Sequence, residues 1–329
     1  MSITRRLVFI LRKYSTLGLI LLFFWLFIYA TQQHFENVAL KSLYIKSNVS
    51  TNIINHDILL VIRTSKNTQA LRMPGIIHTW FQFSPQTTYI TTNGNKTFFH
   101  RFISKDYHDH IHSTTCKQAH SIRDLCCHSA SEFDIYFRHQ KKYKWLCRFD
   151  DDQYVNVPLL VNYLQRYLPE KELLYIGKPS MKEPKQGRGI RFWFATYGGG
   201  VCFSRSLLRL IHNDIHPPHV FMEGCVASNY PDDTHIAYLL RTKYNINLTV
   251  AEDFHHHIEG DLFTNLTNPS TIDQAITLGF KGNNVPRFFP IINNDVHRMQ
   301  TLHCLLYPDK NCMRLLRILL NKLYEEKHG

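Results

Sequence analysis

Residues 145–156 read WLCRFDDDQYVN. An apolar stretch closes on three consecutive aspartates, in a chain whose 38 lysines and arginines outnumber its 26 acidic residues. Like charges that close repel one another, and burial raises the penalty, so Asp150, Asp151 and Asp152 together call for a cation. The stretch YKWLCRF is dense enough in apolar residues for a buried strand. The triplet then falls at its C-terminal end, where ligands gather in open α/β sheets. The segment VPLLVNYLQRYL that follows starts a helix with Pro158 near its first turn. A hard dication, Mg²⁺ or Mn²⁺, held together with a nucleotide diphosphate, would supply the charge that the triplet lacks. A solvated acidic turn is the plainer reading of an isolated DDD, so the rest of the chain has to decide.

Upstream, HDILLVIRTSK carries a continuous apolar run over residues 58–62, suited to a buried parallel strand. TTYITTNGN reads as a second strand and its turn. Between them ALRMPGIIHTWF has helical spacing, interrupted by Pro74 and Gly75. Strand, helix, strand is a βαβ unit, which predicts an α/β layered sheet.

Downstream, three further segments bear on the triplet. NYPDDTHIAYLL places Asp232 and Asp233 at the first turn of a helix, where carboxylates cap free N–H groups. Capping needs one aspartate, and a second facing a cleft could take a proton from an attacking hydroxyl. AEDFHHHIEG follows the strand-like INLTVA and carries His255, His256 and His257. Strand alternation would send His255 and His257 to one side and His256 to the other. A surface run is the commoner origin of such a triple, but its place after a strand makes one of them a candidate imidazole ligand for Mn²⁺. RFWFATYGGGVCFSRSLL holds the glycine run 198–200, which permits close backbone approach to a ligand. It is not a phosphate loop, because no Lys-Ser/Thr follows.

The N-terminus bears on the compartment. Arg5, Arg6, Arg12 and Lys13 precede the uncharged run at 14–30, at the short end of what spans a hydrocarbon core of about 30 Å. The basic flank would stay cytosolic and send the C-terminus into the lumen. A cleaved signal peptide ending at Ala30 is the rival, disfavoured by the length of the run and by Ile28 two residues before the cut. The expected organisation is a cytoplasmic tail at 1–13, a transmembrane signal-anchor at 14–30, a stem at 31–54 and a luminal catalytic domain at 55–329. A lumen accords with sequons at Asn48, Asn95, Asn247 and Asn265, and with eight cysteines. Cys126 and Cys127 are adjacent, and vicinal cysteines rarely bridge, so each pairs elsewhere or stays free. The formal charge of +12 does not indicate nucleic acid, because no run of five basic residues occurs and a lumen holds no such ligand. A basic surface serving anionic donors, or simply a high-pI secretory domain, are equal readings of that charge.

WLCRFDDDQYVN, YIGKPS, RFWFAT, PDDT, FHHHIE and HCLLYPD, taken in this order and at these spacings over roughly residues 57–312, resemble the Fringe-type β-1,3-N-acetylglucosaminyltransferases. The resemblance implies a GT-A glycosyltransferase fold, Rossmann-like with a mixed sheet flanked by helices, on a single-pass type II Golgi membrane protein. It also implies a UDP-N-acetylglucosamine donor, Mn²⁺, and an acceptor fucose O-linked to epidermal-growth-factor-like (EGF-like) repeats of the Notch type. Carried over by motif, Asp152 and His257 would ligate Mn²⁺, Asp150, Asp151 and Arg72 would contact the donor, and Asp233 would be the catalytic base of an inverting displacement. The implied disulfides are Cys116 with Cys127, Cys147 with Cys202, and Cys304 with Cys312, leaving Cys126 and Cys225 free or paired together. The family's ATGGAGFC is here ATYGGGVC, which would set the bulky Tyr197 near the donor or acceptor pocket. A related β-1,3-galactosyl- or N-acetylhexosaminyltransferase with another acceptor, and an inactive Golgi glycan-binding protein, are the alternative readings.

Overall fold

The computed structural model describes residues 55–117, 121–256, 259, 269–279, 295, 299–308, 312 and 314. The anchor and stem expected at 14–54, His257, Asn48 and Asn265 lie outside them. Among the described residues no helix is long and apolar enough to cross a membrane.

The apolar run after Asp57 forms β1 (Ile58–Arg63), followed by helix α1 (Gln69–Ile77), β2 (Thr88–Thr92) and β3 (Ile111–Ser113). Helix α2 (Ile122–His139) returns the chain to β4 (Trp145–Asp150), the strand that ends in the triplet. Then come β5 (Gln153–Val155), α3 (Val157–Leu164), β6 (Tyr175–Gly177), the hairpin β7 (Lys185–Gly187) and β8 (Ile190–Phe192), and β9 (Val201–Ser204). Helices α4 (Arg205–Leu210), α5 (His212–Ile215), α6 (Pro218–Ser228) and α7 (Asp232–Tyr244) precede β10 (Thr249–Val250). Later in the chain stand α8 (Pro269–Gln274), β11 (Thr277–Gly279) and α9 (Met299–Leu306).

Seven strands form one sheet in the order β10-β6-β9-β4-β1-β2-β3. The pairs β1–β2, β1–β4, β2–β3 and β6–β10 are parallel, and β9 runs antiparallel to both of its neighbours. The protein is therefore mixed α/β with a mostly parallel central sheet.

Side-chain alternation along the central strands sorts the core into two layers. Ile58, Leu60 and Ile62 of β1, with Trp145, Cys147 and Phe149 of β4, face a layer that includes Met73, Ile76 and Ile77 of α1. Leu59, Val61 and Leu146 face the other layer, where Phe133 and Tyr136 of α2 meet Phe221 of α6 and Ile236 of α7. The same period carries Arg63 and Arg148 onto this second face, since Val61 pairs with Arg148 and Arg63 with Asp150 across the β1–β4 ladder. Arg148 is 2% exposed, and a charge so buried must be matched by partners.

Four disulfides are formed: Cys116–Cys127, Cys126–Cys225, Cys147–Cys202 and Cys304–Cys312. The vicinal pair thus splits, Cys127 bridging eleven residues back and Cys126 crossing 99 residues to α6. Cys126–Cys225 closes the longest loop, so its chain-entropy stabilisation should be the largest of the four, on the order of 4 kcal/mol. Non-reducing peptide mapping is expected to recover Cys126 linked to Cys225, and recovery of either as a free thiol would contradict the fold. Of the sequons within the described residues, Asn95 and Asn247 are both exposed.

Candidate active site

The triplet stands where β1 and β4 end side by side, and the two faces of the sheet divide it. Asp150 closes β4 on the second face, where its Oδ1 accepts a 2.6 Å hydrogen bond from the guanidinium of Arg148. Asp151 belongs to the first face: its Oδ2 accepts from Thr64 Oγ1 at 2.6 Å and its Oδ1 from Arg72 of α1 at 2.7 Å. The same Arg72 nitrogen lies 3.3 Å from Asp152 Oδ2. Two arginines of the protein itself therefore supply much of the charge that the sequence reading assigned to a metal. Asp152 is the exception. Its Oδ1 is buried with no hydrogen-bond partner among the described residues, and burial, then Asp150 and Asp151, push its carboxyl up to about 7.

The glycine run serves the protein's own packing. Gly200 has φ +86°, and a β-carbon there would lie 2.6 Å from the Phe149 ring, while one on Gly199 would press on His256 at 3.3 Å. Gly198 O accepts from Gln153 Nε2 at 2.7 Å, and Gly199 O from Thr277 Oγ1 at 2.6 Å. These contacts draw the triplet's flank, the glycine segment and the histidine segment together. Strict alternation fails in the histidines: His255 Nδ1 lies 3.0 Å and His256 Nε2 3.3 Å from opposite oxygens of Glu259. The backbone turns there, Glu259 N donating to His256 O. Lys178 also reaches Glu259, at 3.2 Å, and although burial opposes it, the hydrogen bond from His255 and the charge of Lys178 hold that carboxyl down to about 2.

The two aspartates at the start of α7 are unequal. Asn229, left-handed at φ 58°, ends α6, and Pro231 opens α7 with no side-chain cap. Asp232 Oδ2 accepts from Arg63 at 2.9 Å and from Ser129 Oγ at 2.6 Å. Burial works against its ionisation, but Arg63 and Arg148 outweigh burial and hold the Asp232 carboxyl below its ordinary value. Asp233 has no such partner. Its Oδ1 accepts from the N–H and hydroxyl of Thr234, while burial and then the charge of Asp232 push it up to about 7.

An ionic chain joins the two acidic groups. Arg63 Nε donates to Glu132 Oε1 at 2.6 Å, Glu132 Oε2 accepts from Arg148 Nε at 3.1 Å, and Arg148 continues to Asp150. Ser129 and Glu132 share one face of α2, three residues apart. Tyr197 lies in this layer, 5% exposed, with the Arg148 guanidinium 4.2 Å over its ring. It is a core residue under a buried cation, one side chain removed from Asp150 through Arg148. Sequence reading passed over Arg63, Ser129, Glu132, Arg148 and Thr64. The signal available was Arg148 itself, a charge at an inward position of an otherwise apolar strand.

This site has recognisable company among known proteins. The relatives found are glycosyltransferases by name, and that is the class in which this fold and site stand. One is a β-1,3-N-acetylglucosaminyltransferase lunatic fringe of Danio rerio, 33% identical over 269 residues, 77% of this chain and 69% of that protein. Another is a Fringe glycosyltransferase of Drosophila melanogaster, 32% identical over 270 residues, 77% of this chain and 62% of that one. The solved glycosyltransferase GlyE of Streptococcus pneumoniae matches 80% of this chain and 63% of its own at 10% identity, with a TM-score of 0.39. The Fringe-like family model matches residues 53–310. The chain belongs to the Fringe-like family.

Proposed function

We propose that this protein transfers N-acetylglucosamine from UDP-N-acetylglucosamine, in β-1,3 linkage and with inversion, to fucose O-linked on EGF-like repeats of Notch-type glycoproteins. The sheet order and strand-end acids are consistent with a GT-A fold. The observation that carries the mechanism is the inequality of Asp232 and Asp233: one is buried and committed to Arg63, and the other is half-buried, without an arginine partner and with a raised pKa, as a general base working near neutral pH needs. Asp233 takes the proton of the acceptor hydroxyl as that oxygen attacks the anomeric carbon from the face opposite the departing UDP. Asp150, Asp151 and Arg72 orient the donor at the strand ends. The names of the relatives support the sugar and the linkage.

The donor set also fits a divalent cation. Asp152 Oδ1 is a buried anionic oxygen with no hydrogen-bond partner among the described residues, which a hard cation would satisfy. Asp152, together with His257 outside the described residues, would hold Mn²⁺, and the ion would offset charge on the departing diphosphate. His255 and His256 are both engaged by Glu259, which favours the third histidine as the ligand. Residues 14–30 anchor the chain in the Golgi membrane and 31–54 form the stem, with the catalytic domain from residue 55 in the lumen.

The test is transfer of radiolabel from each of several UDP-sugars to an O-fucosyl EGF-like peptide, with Mn²⁺ present. Preferential incorporation from UDP-N-acetylglucosamine is expected. Preference for UDP-galactose would move the assignment to the related transferases, and no incorporation from any donor would point to a glycan-binding protein.

A further inference from the structure

Arg63 has no part in the reaction just described, yet three side chains converge on it. It is the last residue of β1, and its side chain is 12% exposed. Its Nε serves Glu132, and one terminal nitrogen serves both Ser129 Oγ at 2.7 Å and Asp232 Oδ2 at 2.9 Å. Ser129 Oγ donates onward to the same Oδ2 at 2.6 Å. Arg148 closes the arrangement by sharing Glu132. A guanidinium is a rigid planar fork, so acceptors in fixed places set its plane and the direction of the carboxylate it holds. Glu132 and Ser129 are fixed by α2, and α2 is tied to α6 by Cys126–Cys225. Asp232 and Asp233 are consecutive in the first turn of α7, so holding the first sets the backbone frame of the second.

We propose that Arg63 is a positioning residue for glycosyl transfer: with Ser129 it holds Asp232, thereby sets the place of Asp233, and leaves Asp233 as the carboxylate of the pair that exchanges a proton. The inference rests on Asp233 being the base. Arg63 acts through Asp232 and is not itself a catalytic residue. The aspartate pair is otherwise faced by Arg148 of β4, His128 of α2, His235 of α7, Tyr175 of β6 and Tyr197. Burial lowers both histidines and raises both phenols, with Arg63 adding to the effect on His128, so Arg148 would be the one permanent cation left beside the pair among these groups if Arg63 were removed.

The experiment compares the full chain with Arg63→Lys, Arg63→Met and Ser129→Ala, following transfer from the UDP-sugar to an O-fucosyl peptide between about pH 5 and pH 9. Lysine keeps the charge but cannot serve Glu132, Ser129 and Asp232 together. Turnover in Arg63→Lys is expected to fall about tenfold or more with donor KM within about twofold of the parent. In Arg63→Met the acid limb of kcat/KM should also move to higher pH by about one unit, because loss of a nearby cation raises carboxylate pKa values. Ser129→Ala removes a neutral donor and leaves every charge in place. It is expected to fold normally and to lose about three- to tenfold in turnover, so it still decides if Arg63→Met does not fold. A folded Arg63→Lys and Ser129→Ala with the parent's turnover and acid limb would overturn the proposal. The series is read with whichever UDP-sugar the parent uses, so a different donor overturns the sugar assignment alone.

Discussion

Asp233→Asn should lower turnover by roughly 10² or more while UDP-N-acetylglucosamine still binds, because the amide keeps the size of the side chain but cannot take a proton. The substitution separates the two roles open to this residue. Asn retains an oxygen for the Thr234 N–H that Asp233 now accepts at 2.6 Å, so a merely capping residue would lose at most about 1 kcal/mol of stability and little activity. The pH profiles sharpen the distinction. With its carboxyl at about 7, Asp233 is protonated and inactive below that pH and ionised above it, so kcat/KM of the parent should rise through about pH 7. Asp233→Asn should lack that limb. Linkage gives the sign for stability. A carboxyl whose folded pKa is raised binds more protons folded than unfolded, so the parent loses stability as pH rises from about 4 to about 7. The variant should therefore gain on the parent over that interval. Near-normal turnover in Asp233→Asn, with donor affinity measured on the same preparation, would remove Asp233 as the base.

Asp152→Ala is the second large effect, an expected loss of roughly 10² or more in transfer with the fold retained. Its Oδ2 shares Arg72 with Asp151 while its Oδ1 is buried without a partner among the described residues. Deleting the carboxylate thus relieves a buried charge, and thermal unfolding should show little loss of stability. Chelator-treated parent protein should lose activity to a similar extent and regain it on addition of Mn²⁺, whereas Asp152→Ala should not respond to added metal. Full activity of the chelated parent would take the metal out of the mechanism and leave Asp152 to be explained by its contact with Arg72 alone.

Much of this site is legible in the sequence, for identifiable reasons. An acidic triplet closing an apolar strand, and an acidic pair opening a helix, are local patterns whose spacing sets their place at a strand end and a helix start. The alternation of the histidines failed because it assumed extended backbone where the chain turns onto Glu259. The glycine run signals close approach without saying to what, and its neighbours Phe149 and His256 come from the tertiary structure. That Tyr197 packs under Arg148 has no local signal, because it depends on which face of the sheet the residue meets.

By itself, then, the sequence determined the α/β alternation, the strand that carries the triplet and the first turn that carries Asp232 and Asp233, all properties of short-range periodicity. Only the tertiary structure decided how the charges pair. Arg63 meets Glu132 across 69 residues and Asp232 across 169, and Arg72 meets Asp151 across 79. Nothing in a local pattern ranks such partners, because each pairing exists only after sheet and helices have closed around it and removed the water that would otherwise screen every charge equally. The same closure makes Asp232 the paired carboxylate and Asp233 the one with a raised pKa, a difference between adjacent identical residues that no reading of Asp-Asp could assign.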